Sequence, residues 1–195
     1  MPRPERIEDL IAEARGLDTE AAFVARYPHP FLVREQTRGP AGAPVPGAGD
    51  RATLRVAKAA VPTGDDFAGG DVWVVRVCPA DPENHDGAVT VGRDPGCDLV
   101  LDDASISGQH ASFSLELREP DPDDDEDDGR TFLLTDIGSA NGTWVDGDQA
   151  PAGKAVVLAD QCSLRLGPAA KFQFFKAPAF FQFLDFYRRI KRKPK

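Results

Sequence analysis

After residue 50 the chain alternates short apolar stretches with clusters of Gly, Pro and Asp. Stretches of this length that are rich in β-branched and aromatic residues are typical of strands, and the residues between them favour turns. The predicted strands are ATLRVA, VWVVRV, AVTVG, DLVL, HASFSLEL, TFLLTD, GTWV, AVVL, SLRLG and KFQFF. Many short strands joined by turns predict a mainly β fold, a β-sandwich.

The residues before position 37 follow a helical pattern instead. Apolar side chains recur with the period of a helix at Ile7, Leu10, Ile11 and Ala14. Gly16 ends this helix, and a second short helix follows with Asp18 as its N-cap. Pro28 and Pro30 end the second helix. The pattern therefore predicts a hairpin of two helices. This hairpin is too short to be stable alone, so we expect it to dock on the rest of the chain.

The segment TRGPAGAPVPGAGD contains almost no large apolar residue, so it cannot bury enough surface to offset the entropy of ordering it. We therefore interpret it as a linker and divide the chain into four segments. A helical hairpin with a short extended segment occupies 1–36, the linker 37–50, the β-sandwich 51–176, and an aromatic helix with a basic tip 177–195.

The C-terminal helix has an amphipathic pattern and a cationic end, RRIKRKPK. One helical face carries Phe180, Phe183, Leu184, Tyr187 and Ile190. Either this face packs on the sandwich or the hairpin with the tip in solvent, or the tip contacts anionic lipid, nucleic acid or an acidic partner. A third alternative is contact with EPDPDDDEDD at 119–128, which otherwise reads as a solvated loop between two strands.

Charge and cysteine content narrow the class of protein. With 32 acidic and 23 basic residues the net charge is -9, which disfavours nucleic acid and anionic membrane as partners of the whole chain. The 3 cysteines are widely spaced and predict neither a disulfide framework nor a metal clip. No apolar stretch has the length of a signal peptide core or of the roughly 20 residues that span a bilayer. We expect a cytoplasmic protein without a metal or other cofactor.

Three polar segments occur where strands and turns alone would not require them. They are Gly92-Arg93, the tetrapeptide SGQH at 107–110, and DIGSANGT at 136–143. In this order and at these spacings they resemble the signature of the forkhead-associated (FHA) domain, which is Gly-Arg, then Ser-x-x-His, then Ser-x-Asn-Gly. The resemblance extends over roughly 71–175, and we expect a bacterial FHA-domain protein whose β-sandwich has two antiparallel sheets.

The resemblance implies a phosphopeptide-binding site, and the chemistry of the residues suits one. The planar guanidinium of Arg93 matches phosphate geometry and stays charged. The Ser107 hydroxyl can donate to a second phosphate oxygen, and the Asn141 amide can both donate to and accept from a peptide main chain. The family implies a preference for phosphothreonine over phosphoserine. Gly108 and Ala140 complete the predicted binding set.

Gly92, His110 and Gly142 are predicted to support the binding loops rather than to touch the ligand. In the family this histidine braces the loops through hydrogen bonds, so we assign His110 a structural role rather than a catalytic one. Taken singly, Arg93 could be a surface arginine and Asn141-Gly142 an ordinary tight turn, since Asn-Gly is a strong hairpin signal. Because all three segments occur in the order and at the spacings of the signature, we favour a binding site.

Three positions differ from many relatives. Gly108 stands where a basic or amide side chain is frequent, and Ala140 stands where some relatives carry a threonine that adds a phosphate contact. Both differences imply fewer side-chain contacts to the phosphate and weaker binding. Asp146 replaces a frequent asparagine after Asn-Gly-Thr, which preserves the turn chemistry.

The functional hypothesis is a non-enzymatic adaptor that binds a phosphothreonine peptide in serine/threonine kinase signalling. Its partner would be such a kinase or one of its substrates. Catalysis is disfavoured because the 3 histidines are isolated in the sequence and no nucleophile, P-loop or zinc-hydrolase motif is present. The alternative is a phosphate-independent scaffold or assembly protein that uses the sandwich and its helical extensions.

Overall fold

The structure is a computed structural model that describes residues 3–36, 71–81, 87–120 and 128–192. The predicted linker over 37–50 and the predicted strand ATLRVA lie outside the described residues, as does most of the acidic loop over 119–128.

The described strands form two sheets, as the sequence predicted. The larger contains, in spatial order, β1 (Glu5–Arg6), β3 (Asp71–Arg76), β2 (Phe31–Gln36), β12 (Ala170–Phe175), β11 (Ser163–Leu166), β8 (Thr143–Val145) and β9 (Asp148–Gln149). The smaller contains β10 (Ala155–Val157), β7 (Arg130–Asp136), β6 (Ala111–Leu117), β4 (Val89–Gly92) and β5 (Leu99–Val100). Every described pairing is antiparallel except that of β4 with β5, which is parallel.

The main core lies between the two sheets. Alternation along each strand turns every second side chain inward, so Leu164 and Leu166 of β11 are buried while Arg165 between them faces the outer side. The same pattern buries Phe113 from β6 and Phe174 from β12 in this cluster. The mainly β sandwich predicted from the strand pattern is therefore confirmed.

A second core covers part of the outer face of the larger sheet. It is formed by α1 (Ile7–Glu13), α2 (Glu20–Arg26) and α3 (Ala177–Arg192) against that sheet. Phe180 of α3 is stacked on Phe31 of β2 with ring centroids 3.9 Å apart. The apolar faces of the N-terminal and C-terminal helices thus share one cluster on the sandwich. Ile190 is only half-buried at the edge of the predicted face.

The segment Phe31–Gln36 differs most from its predicted role. The sequence pattern predicts an extended piece before a sandwich that begins at residue 51, yet the segment is β2, paired with β3 on one side and with β12 on the other. The physical reason is burial on both faces, with Leu32 in the inter-sheet core and Val33 under the helices. We therefore propose that the folded unit includes the N-terminal segment.

The N-cap of α2 is Thr19 rather than the predicted Asp18. The Thr19 hydroxyl accepts a hydrogen bond from the Ala22 amide at 3.3 Å, which satisfies one of the free donors at the start of the helix. Among the described helices, none has both the length and the apolar character needed to cross a membrane.

Candidate functional site

Three loops meet at one end of the sandwich, namely those that follow β4, β5 and β7. Backbone hydrogen bonds hold the first two together, because the Arg93 amide donates to the Ser107 carbonyl at 2.9 Å and the Asp94 amide donates to the Gly108 carbonyl at 2.8 Å. The Gly108 carbonyl also accepts from the buried Cys97 thiol at 3.3 Å. The loop carrying Arg93 therefore lies directly against the loop carrying Ser107.

Gly92 permits this close approach. A Cβ atom at Gly92 would lie 2.0 Å from the Gly108 carbonyl oxygen and 2.8 Å from the Gly108 carbonyl carbon. Such distances are incompatible with a side chain, so the glycine of the Gly-Arg pair is required by the backbone of the facing loop.

Arg93 follows immediately and is exposed. Within the described part of the chain, no carboxylate forms an ion pair with its guanidinium, and its backbone amide is the group that anchors it. Its planar set of donors is therefore available to an anion that approaches the loops.

Ser107 is positioned by two neighbouring groups. Its hydroxyl oxygen accepts a hydrogen bond from the Ala140 amide at 2.9 Å, and its own amide donates to Nδ1 of His110 at 3.1 Å. Because the hydroxyl oxygen is already an acceptor, its proton remains to be donated to a ligand. Ala140 itself is exposed and, like Gly108, offers no polar side chain.

His110 lies beneath the loops and is fully buried. Because its Nδ1 accepts from Ser107, the proton of the neutral ring is on Nε2, which donates to the Gly142 carbonyl at 3.1 Å. Burial lowers the pKa of His110, and the hydrogen bond to Gly142 and the nearby charge of Asp136 only partly oppose that shift. The neutral ring thus links the serine loop to the asparagine loop.

Asn141 is exposed at the tip of the third loop. Its Nδ2 donates to the Ser105 carbonyl at 3.0 Å, which fixes the plane of the side-chain amide. A second Nδ2 proton and the Oδ1 acceptor remain for a peptide backbone. The following Gly142 has φ 82, in the left-handed region that favours glycine.

Two carboxylates hold these loops, the buried Asp136 and the half-buried Asp103, and the sequence pattern predicts a role for neither. Asp136 accepts hydrogen bonds from the Ser139 hydroxyl at 2.7 Å and from the Gly138 and Ser139 amides. Burial acts to raise the pKa of Asp136, but these hydrogen bonds outweigh it and hold the pKa below its usual range. The carboxylate therefore stays charged and shapes the turn that ends at Asn141.

Asp103 supports Asn141 through Ser105. It accepts from the Ser105 hydroxyl at 2.7 Å and forms an ion pair with Arg34 at 2.9 Å. Ser105 in turn supplies the carbonyl that holds Asn141. An Asp followed by Ser at two or three residues is a sequence signal for such side-chain turns, and it occurs at both carboxylates.

The structure thus brings the predicted residues to one end of the sandwich. The set comprises Gly92, Arg93, Ser107, Gly108, His110, Ala140, Asn141 and Gly142. Among the described residues, no group of His, Cys, Asp and Glu side chains is arranged to hold a metal ion.

The loops at one end of the β-sandwich present an arginine, a serine and an asparagine, the arrangement expected of a loop-based binding site. Residues 89–167 match the family model of the FHA domain. Among curated proteins, the glycogen accumulation regulator GarA of Mycobacterium tuberculosis is 37% identical over 83 residues, which are 42% of this chain and 42% of GarA. The matched segment, residues 89–167, is therefore similar to the FHA domain, as the sequence signature predicts.

Other relatives are more distant or shorter in their match. The oxoglutarate dehydrogenase inhibitor of Corynebacterium glutamicum is 37% identical over 57 residues, which are 29% of this chain and 32% of the inhibitor. The solved MEK1 FHA domain is 26% identical, with a TM-score of 0.40, over 53% of this chain and 77% of that domain. The chain therefore spans less than half the length of the curated relatives that it matches.

Proposed function

We propose that this protein binds a phosphothreonine-containing segment of a partner protein and performs no chemical step on it. The observation that carries the proposal is the exposed guanidinium of Arg93 on a loop bonded to that of Ser107, whose hydroxyl proton is free to be donated. An arginine fork and a hydroxyl donor are the groups that a phosphate monoester recognises.

Each residue has a distinct part in this binding. Arg93 pairs with the phosphate, Ser107 donates to a second oxygen, and Asn141 hydrogen-bonds the extended peptide backbone beside the phosphothreonine. Gly108 and Ala140 line the site through their main chains, so most of the side-chain contact with the phosphate falls to Arg93 and Ser107. Since the chain carries a net charge of -9, this local attraction must also overcome overall repulsion.

The chemistry of the site and the names of the relatives support a proposal for the partner of the protein. Two relatives are named as a regulator and as an inhibitor, which supports regulation by binding rather than catalysis. We propose a serine/threonine kinase or one of its substrates as the phosphorylated partner, since such a kinase supplies the phosphothreonine. We further propose that the protein acts in the cytoplasm.

The test is a binding assay on the full chain. Fluorescence anisotropy compares a phosphothreonine peptide library with the same peptides carrying threonine or phosphoserine. We expect binding of the phosphothreonine set alone, and we expect Arg93→Ala to weaken it by about 1.5–3 kcal/mol, the value of a hydrogen-bonded charged group.

Arg15→Ala is the matched control, because it removes an exposed arginine from the helical layer and not from the loops. It should bind like the unmodified chain. Equal affinity for phosphorylated and unphosphorylated peptides would contradict the proposal and favour a phosphate-independent scaffold.

A further inference from the structure

A row of polar and aromatic side chains crosses the outer face of the larger sheet beside the helices. In the sheet register Gln149 of β9 pairs with Trp144 of β8, Trp144 pairs with Arg165 of β11, and Arg165 pairs with Lys171 of β12. Gln149 and Lys171 are exposed, and Trp144 and Arg165 are half-buried. None of the four belongs to the apolar cluster beneath the helices. This part of the sheet therefore presents a cationic and aromatic surface.

The guanidinium of Arg165 lies over the indole of Trp144. Its guanidinium carbon lies 3.6 Å from the ring centroid, the geometry of a stacked cation–π pair. Stacking uses the face of the guanidinium and leaves its N–H edge free to bind a carboxylate through two hydrogen bonds. Among the described residues, no carboxylate forms an ion pair with Arg165 or Lys171. The row is therefore a preorganised cationic surface that lacks a described counterion.

This row is continuous with the candidate site. A Cβ atom at Gly142 would lie 2.9 Å from Cη2 of Trp144 and 2.9 Å from Nε2 of Gln149. Gly142 directly follows Asn141, the residue expected to hold the peptide backbone. The row thus begins next to the turn that carries Asn141 and Gly142.

The row matches the span of a short peptide segment. Adjacent strands are about 4.8 Å apart and an extended peptide rises about 3.3 Å per residue. The two strand spacings from Trp144 to Lys171 therefore correspond to roughly three peptide residues. A peptide that left the phosphate site on the side of Asn141 and followed this row would place its next residues over Arg165 and Lys171.

We propose that Trp144, Arg165 and Lys171 form a second subsite, which binds an acidic side chain of the same phosphorylated segment. The inference rests on the proposed function, since the phosphothreonine places the segment. It goes further by giving the site a sequence preference, namely Asp or Glu within a few residues of the phosphothreonine on the side that passes Asn141. Charge complementarity selects an acidic residue, because the two cations of the row are the charges it presents.

The experiment measures Kd for phosphothreonine peptides in which a single Glu is moved through the positions on both sides of the phosphothreonine in a neutral background. We expect Glu at one or two neighbouring positions, on one side only, to strengthen binding by about threefold to fivefold, the upper part of the range for an exposed ion pair. Arg165→Gln should abolish this gain. Arg15→Gln, which removes the same charge from the helical layer, should retain it.

A charge reversal at Arg165 distinguishes a direct charge effect from a structural change caused by loss of the pair between Arg165 and Trp144. Arg165→Glu should prefer Lys to Glu at the same peptide position, a result that loss of structure cannot produce. If phosphothreonine peptides bind but the Glu gain is absent, or persists in Arg165→Gln, the second subsite is refuted and the proposed function stands. If no phosphothreonine peptide binds, both proposals are refuted.

Discussion

Gly92 lies directly against the Gly108 carbonyl, where the loop that carries Arg93 meets the loop that carries Ser107. Replacing Gly92 by Ala would push its Cβ into the Gly108 carbonyl, to which it would lie 2.0 Å away. We expect Gly92→Ala to cost about 1–3 kcal/mol of stability, as overpacking does, and to weaken phosphopeptide binding by separating Arg93 from Ser107. Urea unfolding and anisotropy titration measure the two effects.

Gly96 provides the matched control within the same loop. A Cβ atom there would lie 3.6 Å from Oδ1 of Asp94, an ordinary contact. Gly96→Ala should therefore change stability by less than about 0.5 kcal/mol and leave binding unaltered. If the two alanine variants behaved alike, close packing of the loops would not be the reason for the glycine.

His110 makes the stability of the site depend on pH. Burial lowers the pKa of His110 below its ordinary value of 6.5, so the unfolded chain binds this proton more readily than the folded chain. The stabilisation by the neutral ring is complete above 6.5 and is lost as the pH falls from 6.5 toward the lower folded pKa. Unfolding free energies should therefore fall between about pH 7 and pH 5.

The variant His110→Gln separates this contribution from that of other groups. It should be less stable than the unmodified chain at pH 7.5 by about 2 kcal/mol, because the Ser107 amide and the Gly142 carbonyl lose their partner. It should also lose much of the pH dependence between 7 and 5. The variant His29→Gln, which alters an exposed histidine, should keep the pH dependence of stability that is due to His110. An unchanged slope in His110→Gln would contradict this assignment.

At the scale of single residues, the sequence predicted the exposed loop residues that we propose contact a ligand, but not the residues that hold these loops in place. Arg93, Ser107 and Asn141 were found because their spacing matched a known signature. The ion pair of Arg34 with Asp103 joins residues 69 positions apart, and no local pattern indicates such a pairing. Asp136 lies within the segment DIGSANGT, yet its role depends on a turn geometry that the sequence alone does not specify.

The helix α3 is held to the sandwich by aromatic contacts. Phe180 is fully buried and stacked on Phe31, whereas Phe186 of the same helix is 38% exposed. Phe180→Ala should cost about 3–5 kcal/mol, the usual effect of truncating a buried phenylalanine. Phe186→Ala, the matched control, should cost less than about 1 kcal/mol. Urea unfolding of the full chain checks both values.

Phosphopeptide affinity adds a second readout for this helix. The helical layer lies on the outer face of the larger sheet and contributes none of the predicted binding residues. Under conditions where Phe180→Ala remains folded, its affinity should therefore match that of the unmodified chain. A selective loss of binding would show that α3 shapes the site as well as supporting the sheet.

At the scale of elements, regular patterns predicted well, whereas the strands β1 and β9 were not predicted. The alternation in SLRL and KFQFF and the apolar face of α3 follow the periods of strand and helix, and the structure has these elements in place. The strands β1 and β9 contain only 2 residues each, too few for any period to show. In β2 a short apolar run precedes polar residues, and its partner β3 follows only at Asp71.

For the whole molecule, the family match and the folded unit have different limits. The match covers 89–167, from β4 to just after β11. Four strands of the larger sheet, β1, β2, β3 and β12, lie outside it, and β2 stands between β3 and β12. Without β2 the sheet would be split and two strand edges would be exposed, so the N-terminal segment should be required for folding.

Two deletions of similar length test whether folding requires the N-terminal segment or only the sandwich predicted to begin at residue 51. Removing residues 1–36 takes away β2 and half of the second core, so the remaining chain should show no cooperative unfolding transition and should aggregate. Replacing 37–70 with Asn-Gly should instead leave a folded protein, because Gln36 and Asp71 are paired neighbours that a two-residue hairpin turn can join. Tryptophan fluorescence during urea unfolding and gel filtration report on both. A cooperative, phosphopeptide-binding fragment without residues 1–36 would place the folded unit beyond the N-terminal strand and contradict the architecture described.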